Sequence, residues 1–215
     1  MPLSRAEADA IEAHIARIEH STGVQVVTAI VRRSDAYPEL AWKAFALGAS
    51  VAALLVVAFD VARPDWMLRY TAWSSVAPIL GIGAASAILA LVLPAYARLY
   101  LNRVRCAGEV RQCAQAMFLE RQLTKTHRRN GVLLFASMFE RRVEILADIG
   151  FDGRVAGAEW RKVVDAMTPS LADANPADAF TCGLDRLEAL LAEKGIHGHG
   201  GRNELPDRPI VGEGA

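Results

Sequence analysis

The apolar positions of this chain change period several times, and each change marks an element. Ser4 followed by Glu7 has the form of a capping box, and Ile11, Ile15 and Ile18 then recur at helical spacing until Gly23. A short amphipathic helix is predicted there. Val24 to Val31 (VQVVTAIV) is apolar and β-branched at most positions on both faces, as a strand covered on both sides would be. It reads as a central strand. The run from Ala44 to Phe59 carries no charge and is bracketed by Trp42-Lys43 and Asp60. With such ends it is long enough to cross a hydrocarbon core of about 30 Å. Tyr70 to Ala97 is again uncharged and exceeds the roughly 20 residues a span needs.

Beyond these stretches, Leu99 to Thr126 keeps a helical pattern through Val110, Ala114, Met117, Phe118 and Leu123, as a continuation of the second span would. Val132 to Phe139 and Arg142 to Asp148, with a tight turn at Glu140-Arg141 between them, predict a β-hairpin. A helix with Trp160, Val163, Val164 and Met167 on one side follows. A last helix opens at Asn175-Pro176, a cap followed by proline, and carries Phe180, Leu184, Leu187 and Leu191 inward. After Gly195 the chain is glycine, proline and charge, and disorder is expected over 196–215.

Neither the early strand nor the late hairpin is stable alone, so one sheet with helices on both faces must join them. The expected fold is a three-layer α/β/α sandwich interrupted by a two-helix transmembrane hairpin. Its pieces are residues 4–40, a hairpin at 42–98 with spans of about 42–61 and 74–97, and residues 99–193. Small residues at four-residue spacing, Gly48 with Ala52 and Gly81 with Ala85, allow close helix approach within lipid, inside the hairpin or in a homodimer. Pro78 and Pro94 read as local kinks. Arg32, Arg33 and Lys43 precede the spans and Arg98, Arg103, Arg105 and Arg111 follow them, against Arg63 and Arg69 between, so both termini are expected in the cytoplasm, at the inner membrane.

Composition narrows the function classes. Hydrophobic residues make up 53% of the 215, bunched into the two runs, while 24 basic residues balance 24 acidic ones. No basic stripe remains once the membrane-flanking arginines are set aside, so a nucleic-acid partner is not expected. Neither span has an ionisable residue near its middle, which argues against transport. Cys106, Cys113 and Cys182 lack paired spacing and read as inert thiols in a reducing compartment.

The segment from Asn130-Gly131-Val132-Leu133-Leu134-Phe135 through Phe139-Glu140-Arg141-Arg142-Val143-Glu144-Ile145 to Phe151 resembles the TPM domain family. Trp160 to Met167 continues the likeness as the helix after this core, and Thr22-Gly23-Val24-Gln25-Val26-Val27 is similar to the family's first strand. The resemblance spans roughly residues 4–40 and 100–193 and includes a bacterial branch in which a hairpin interrupts the domain. It implies an α/β/α sandwich and a role in the upkeep of membrane complexes, with calcium binding and weak phosphatase activity in some members. Where the family often carries an acidic residue before Asn-Gly, this chain has Arg129.

Candidate chemistry is therefore sparse. Asp148 and Asp152, near a strand end and in the following loop, are the candidate ligands for a hard cation, Ca²⁺ or Mg²⁺. With Glu159 they form the candidate ion-handling group at the carboxyl ends of strands, the alternative being turn and helix-start chemistry. Asn130, Gly131, Glu140, Arg142 and Glu144 form a candidate binding edge, against simple turn geometry and cross-strand pairing. No zinc-protease, phosphate-loop or nucleophile-elbow motif is present, and Cys106 and Arg111, with four intervening residues, stand one short of the cysteine-phosphatase spacing. His127 reads as a solvated histidine, and His197 and His199 are too few for a metal site. The leading expectation is a non-enzymatic module that docks onto other membrane proteins; the alternative is a weak phosphatase dependent on a divalent cation.

Overall fold

The computed structural model describes residues 3–62, 73–198 and 204–214. The chain divides into two compact units, Met1–Asp35 with Val104–Ala215, and Ala36–Arg103. Arg63 and Arg69, used above for orientation, and His199 lie outside the described residues.

The first unit is built on a four-stranded sheet in the order β3-β2-β1-β4. β1 (Gln25–Arg33) runs parallel to β2 (Gly131–Ser137), with Gln25 opposite Gly131 and Val31 opposite Ser137. β3 (Arg142–Ala147) returns antiparallel to β2. Successive strand residues point to opposite faces, and both faces of β1 and β2 are apolar and covered. On one face Val26, Ile30, Val132 and Leu134 pack with α1 (Arg5–Thr22), α6 (Gly157–Ala172) and α7 (Pro176–Glu193). On the other, Val27, Ala29, Val31, Leu133 and Phe135 pack with Val110, Ala114 and Phe118 of α5 (Arg103–Glu120). The expected three-layer sandwich is the observed one, split in sequence as expected.

Local signals worked where they rest on backbone chemistry. The Ser4 side chain accepts the Glu7 amide, Glu7 returns to the Ser4 amide, and Gly23 closes α1 at φ 71°, a conformation glycine adopts without cost. Asn175 caps α7 by accepting the Asp178 amide at 3.3 Å, with Pro176 next in line. Asn175→Ala should destabilise this unit by about 1 kcal/mol, measured as a shifted denaturant midpoint.

The expectation of disorder over 196–215 is corrected at residues 210–214. Ile210–Gly214 form a strand, β4, parallel to β1, with Ala29 opposite Ile210 and Arg33 opposite Gly214. Composition misled because the segment contributes little apolar surface of its own. It is held by backbone pairing to an edge that β1 already presents, and Leu205 and Ile210 add contacts to the α5-side core.

The second unit holds two long helices, α2 (Glu39–Ala62) and α3 (Trp73–Val92). Both are long and apolar enough to cross a membrane, with mean hydropathies of 2.2 and 2.1. Very little of either is buried: Leu54 is 69% exposed and Leu91 75%. The helix itself ends at Val92, short of the residue 97 expected for the second span. Leu93 is extended ahead of Pro94, which has no N–H to continue a helix, and the short α4 (Pro94–Ala97) and a 3-10 turn follow. α5 is accordingly a separate helix and not a prolongation of α3.

Gly48 lies at the contact between α2 and α3, where a Cβ would stand 2.8 Å from Ser86 Cβ, and Ala52 is buried beside it. On α3 the contact residues are Gly83 and Ser86, whereas Gly81 and Ala85 face outward. Spacing alone gives the small-residue rows of a helix but not which row meets its partner. Ser86 Oγ donates to the Ala44 carbonyl at 2.9 Å, and its bond to Tyr96 at 2.7 Å continues to Tyr100, also at 2.7 Å. Ser86→Ala should cost about 0.6 kcal/mol, read by thermal unfolding in detergent.

Candidate functional site

The parallel pair β1 and β2 defines two ends, and the candidate residues divide between them. At the amino end, Asn130 and Gly131 begin β2. Here the left-handed residue of the turn is Arg129, at φ 53°, and not Gly131. Gly131 is required for another reason: a Cβ there would stand 2.7 Å from the Leu123 carbonyl oxygen. Asn130 is committed to the fold as well, its side-chain amide donating to the Gly23 carbonyl at 2.6 Å.

Asp148 follows β3 and, because β3 is antiparallel, sits at this same amino end, opposite to the carboxyl-end crevice in which α/β sheets usually bind ligands. Its side chain is only 3% exposed. Arg129 grips it through Nε at 2.8 Å and Nη2 at 3.1 Å, and the Ile149 amide donates to it at 2.8 Å. The carboxylate hydrogen bond in turn pushes the Arg129 guanidinium pKa up. Asp152, exposed, ends the short 3-10 turn that Asp148 begins. A cation would have to compete with Arg129 for the Asp148 oxygens, so the pair does not fit a ready-made calcium site. Among the described residues no group of three or more His, Cys, Asp or Glu side chains is arranged to hold a metal ion. Glu159 is a helix-start residue: it accepts the Ala156 amide at 2.9 Å and pairs with Lys194 at 2.7 Å, the hydrogen bond from Lys194 holding its carboxyl below the usual range.

The carboxyl end of the pair is the richer one. Glu140 is buried in the turn between β2 and β3 and does not lie on an open edge. It accepts the Ser34 amide at 2.9 Å and the Ser137 hydroxyl, tying the end of β1 to the end of β2. Beside it, burial pushes the Cys113 thiol up, with the charge of Glu140 acting in the same direction. Arg33 lies over the Phe139 ring at 4.6 Å. Arg105 pairs with Asp35 at 3.0 Å, joining the points at which the chain leaves and re-enters this unit. Of the candidate edge, Arg142 and Glu144 do lie together on β3. Burial raises the Glu144 pKa, while Arg111 and Arg142 restrain it.

Sequence reasoning missed two buried ionisable residues, His14 and Glu19. His14 Nε2 stands 3.5 Å from Asp185 and 3.6 Å from Glu188 of α7, and Glu19 accepts the Val26 amide at 2.8 Å. A signal was present: His14 falls three positions after Ile11 and Glu19 four after Ile15, on the apolar stripe of α1. Cys182, taken as an inert thiol with the other cysteines, is exposed.

Residues 99–190 match the family model described as the TPM domain. The fold is similar to the NMR structure of the BA42 protein from Bizionia argentinensis, at a TM-score of 0.57 and 14% identity, over 98% of this chain and 95% of that one. Comparison with curated proteins gave no match. The matched segment carries α5, β2, β3, α6 and most of α7, and β1 from ahead of the hairpin completes its sheet, so a TPM domain is present in this chain.

Proposed function

We propose that this chain is a TPM domain anchored by a membrane hairpin at the cytoplasmic face of the inner membrane, where it acts as an interaction or maintenance module for membrane protein complexes. The observation that carries the reading is the exposed apolar surface of α2 and α3. Helices of this hydropathy in a soluble core would be mostly buried, whereas about a tenth of each apolar window is buried here, at 11%. Lipid is the solvent that such side chains fit. The sequence places this hairpin within the domain, since the chain leaves after β1 and returns at α5, so the domain works close to the bilayer.

Reporters fused after residue 40 and after residue 198 should both report the cytoplasm, and alkaline carbonate should leave the protein in the membrane pellet. Opposite faces, or release by carbonate, would overturn the anchoring. Crosslinking in intact membranes followed by detergent extraction should recover other membrane proteins with the full chain but not with the hairpin alone. For the rival reading, a cation-dependent phosphatase, calorimetry of the full chain in detergent with Ca²⁺ or Mg²⁺ is decisive: binding lost in both Asp148→Ala and Asp152→Ala would favour it. The engagement of Asp148 by Arg129 weighs against it.

A further inference from the structure

His14 sits on the inner stripe of α1 among Ile11, Ile15 and Ile18, only 6% exposed, and its Nε2 atom is buried without a hydrogen-bond partner. A buried polar atom left in this way calls for an explanation. Two acids of α7 face it, Asp185 with Oδ1 at 3.5 Å and Glu188 with Oε2 at 3.6 Å. Three residues apart, they lie on one face of that helix. Among the described residues neither carboxylate has another ion pair or hydrogen bond, and Arg186, between them in sequence, bonds to Glu193 at 3.1 Å. Both distances to Nε2 are too long for a charge-assisted hydrogen bond, which closes to about 2.7–2.9 Å. A tetrahedral zinc ion, with bonds of about 2.0–2.2 Å to nitrogen and oxygen, sets those atoms about 3.4 Å apart.

We propose that His14 Nε2, Asp185 and Glu188 bind a zinc ion that fastens α1 to α7, with a water in the fourth position. Imidazole and carboxylate together suit zinc, whereas calcium and magnesium take oxygen ligands alone. As placed, the three side chains are not a closed set. The imidazole is the fixed member, held in the core that α1 shares with Leu184, Leu187 and Leu191 of α7. The carboxylates are the adjustable members: Asp185 is exposed and Glu188 half-buried, so both turn onto the ion without disturbing the core. α1 lies ahead of the hairpin in sequence and α7 behind it, so the ion joins the two pieces of the domain. The site shares no residue with Asp148 and Asp152, and it stands whether or not the chain is anchored in a membrane.

Calorimetry of the full chain in detergent with Zn²⁺, in a buffer that does not chelate it, tests this. The native chain should bind the ion, and a large excess of Ca²⁺ or Mg²⁺ should not displace it. The double variant Asp185→Asn/Glu188→Gln changes only the outer face of α7 and keeps the fold. It should bind at least about 100-fold more weakly, since losing even an outer partner of a metal ligand costs about 10–100-fold. His14→Gln should lose as much, while His197→Ala, a histidine outside the site, should keep the native affinity. Zn²⁺ should also raise the thermal midpoint of the native chain and not that of the double variant. A native chain that binds no Zn²⁺ at micromolar concentrations rules the site out, as does native affinity in the double variant.

Discussion

Gly150→Ala should destabilise the α/β unit by about 2–3 kcal/mol, whereas Gly157→Ala should be close to neutral. A Cβ at Gly150 would collide with the Arg129 carbonyl oxygen and stand 2.9 Å from that of Arg128, while nothing lies within 4 Å of one at Gly157. The obstructing atoms are backbone and cannot rotate aside. They are also fixed from two directions, by the Gly150 amide donating to the Arg129 carbonyl at 2.9 Å and by the Arg129–Asp148 pair. Denaturant unfolding of both variants in detergent measures the difference. If the two glycines behave alike, the loop after β3 is not locked against Arg128 and Arg129, and Asp148 becomes available as a ligand again.

That prediction bears on function because it separates a structural carboxylate from a binding one. Arg129 stands where the resemblance leads one to expect an acid, and it turns the start of β2 into an internal ion pair. The amino end of the sheet is thereby committed to cohesion: Asn130 reaches back to Gly23, Gly131 approaches Leu123, and Asp148 is taken by Arg129. At the other end Glu140 joins the strand that precedes the hairpin to the strand that follows it, and Asp35 and Arg105 close the junction. These ties hold together a domain whose two pieces are separated in sequence by the whole hairpin.

Period and capping made most of this fold legible. β1 and β2 read as continuous apolar runs because both their faces are buried, and α1 and α7 announced themselves by Ser4, Glu7, Asn175 and Pro176, whose effects are local. The need for one sheet tied Val24–Val31 to Val132–Phe139 across the two apolar runs. What stayed hidden depends on partners distant in sequence. β4 has little apolar content and exists because an edge of β1 is open to it. Glu140 looked like a solvent-facing charge because nothing near it in sequence reveals that Ser34, on the far side of the hairpin, supplies its donor. Likewise Gly81 and Gly83 are equivalent by composition, and only the seating of α3 on α2 chooses Gly83.

Stability of the α/β unit should fall as pH rises from about 5 to 8, by an amount on the order of 3 kcal/mol, with Glu19 as the principal source. Its carboxyl is raised from an ordinary 4.5 to about 7, first by burial and further by Asp207, against the lowering effect of the Val26 amide. Between those values the folded chain keeps a proton that the unfolded chain has released, so each increase in pH favours unfolding; the contribution is whole below 4.5 and gone once pH passes 7. Glu19→Gln keeps an acceptor for the Val26 amide and cannot ionise. It should flatten the profile across this range and leave the variant more stable than the native chain at pH 8. Denaturant midpoints at pH 5, 6.5 and 8 in detergent measure both effects, and a native profile that stays flat over this interval would show that Glu19 ionises in the folded state as it does in water.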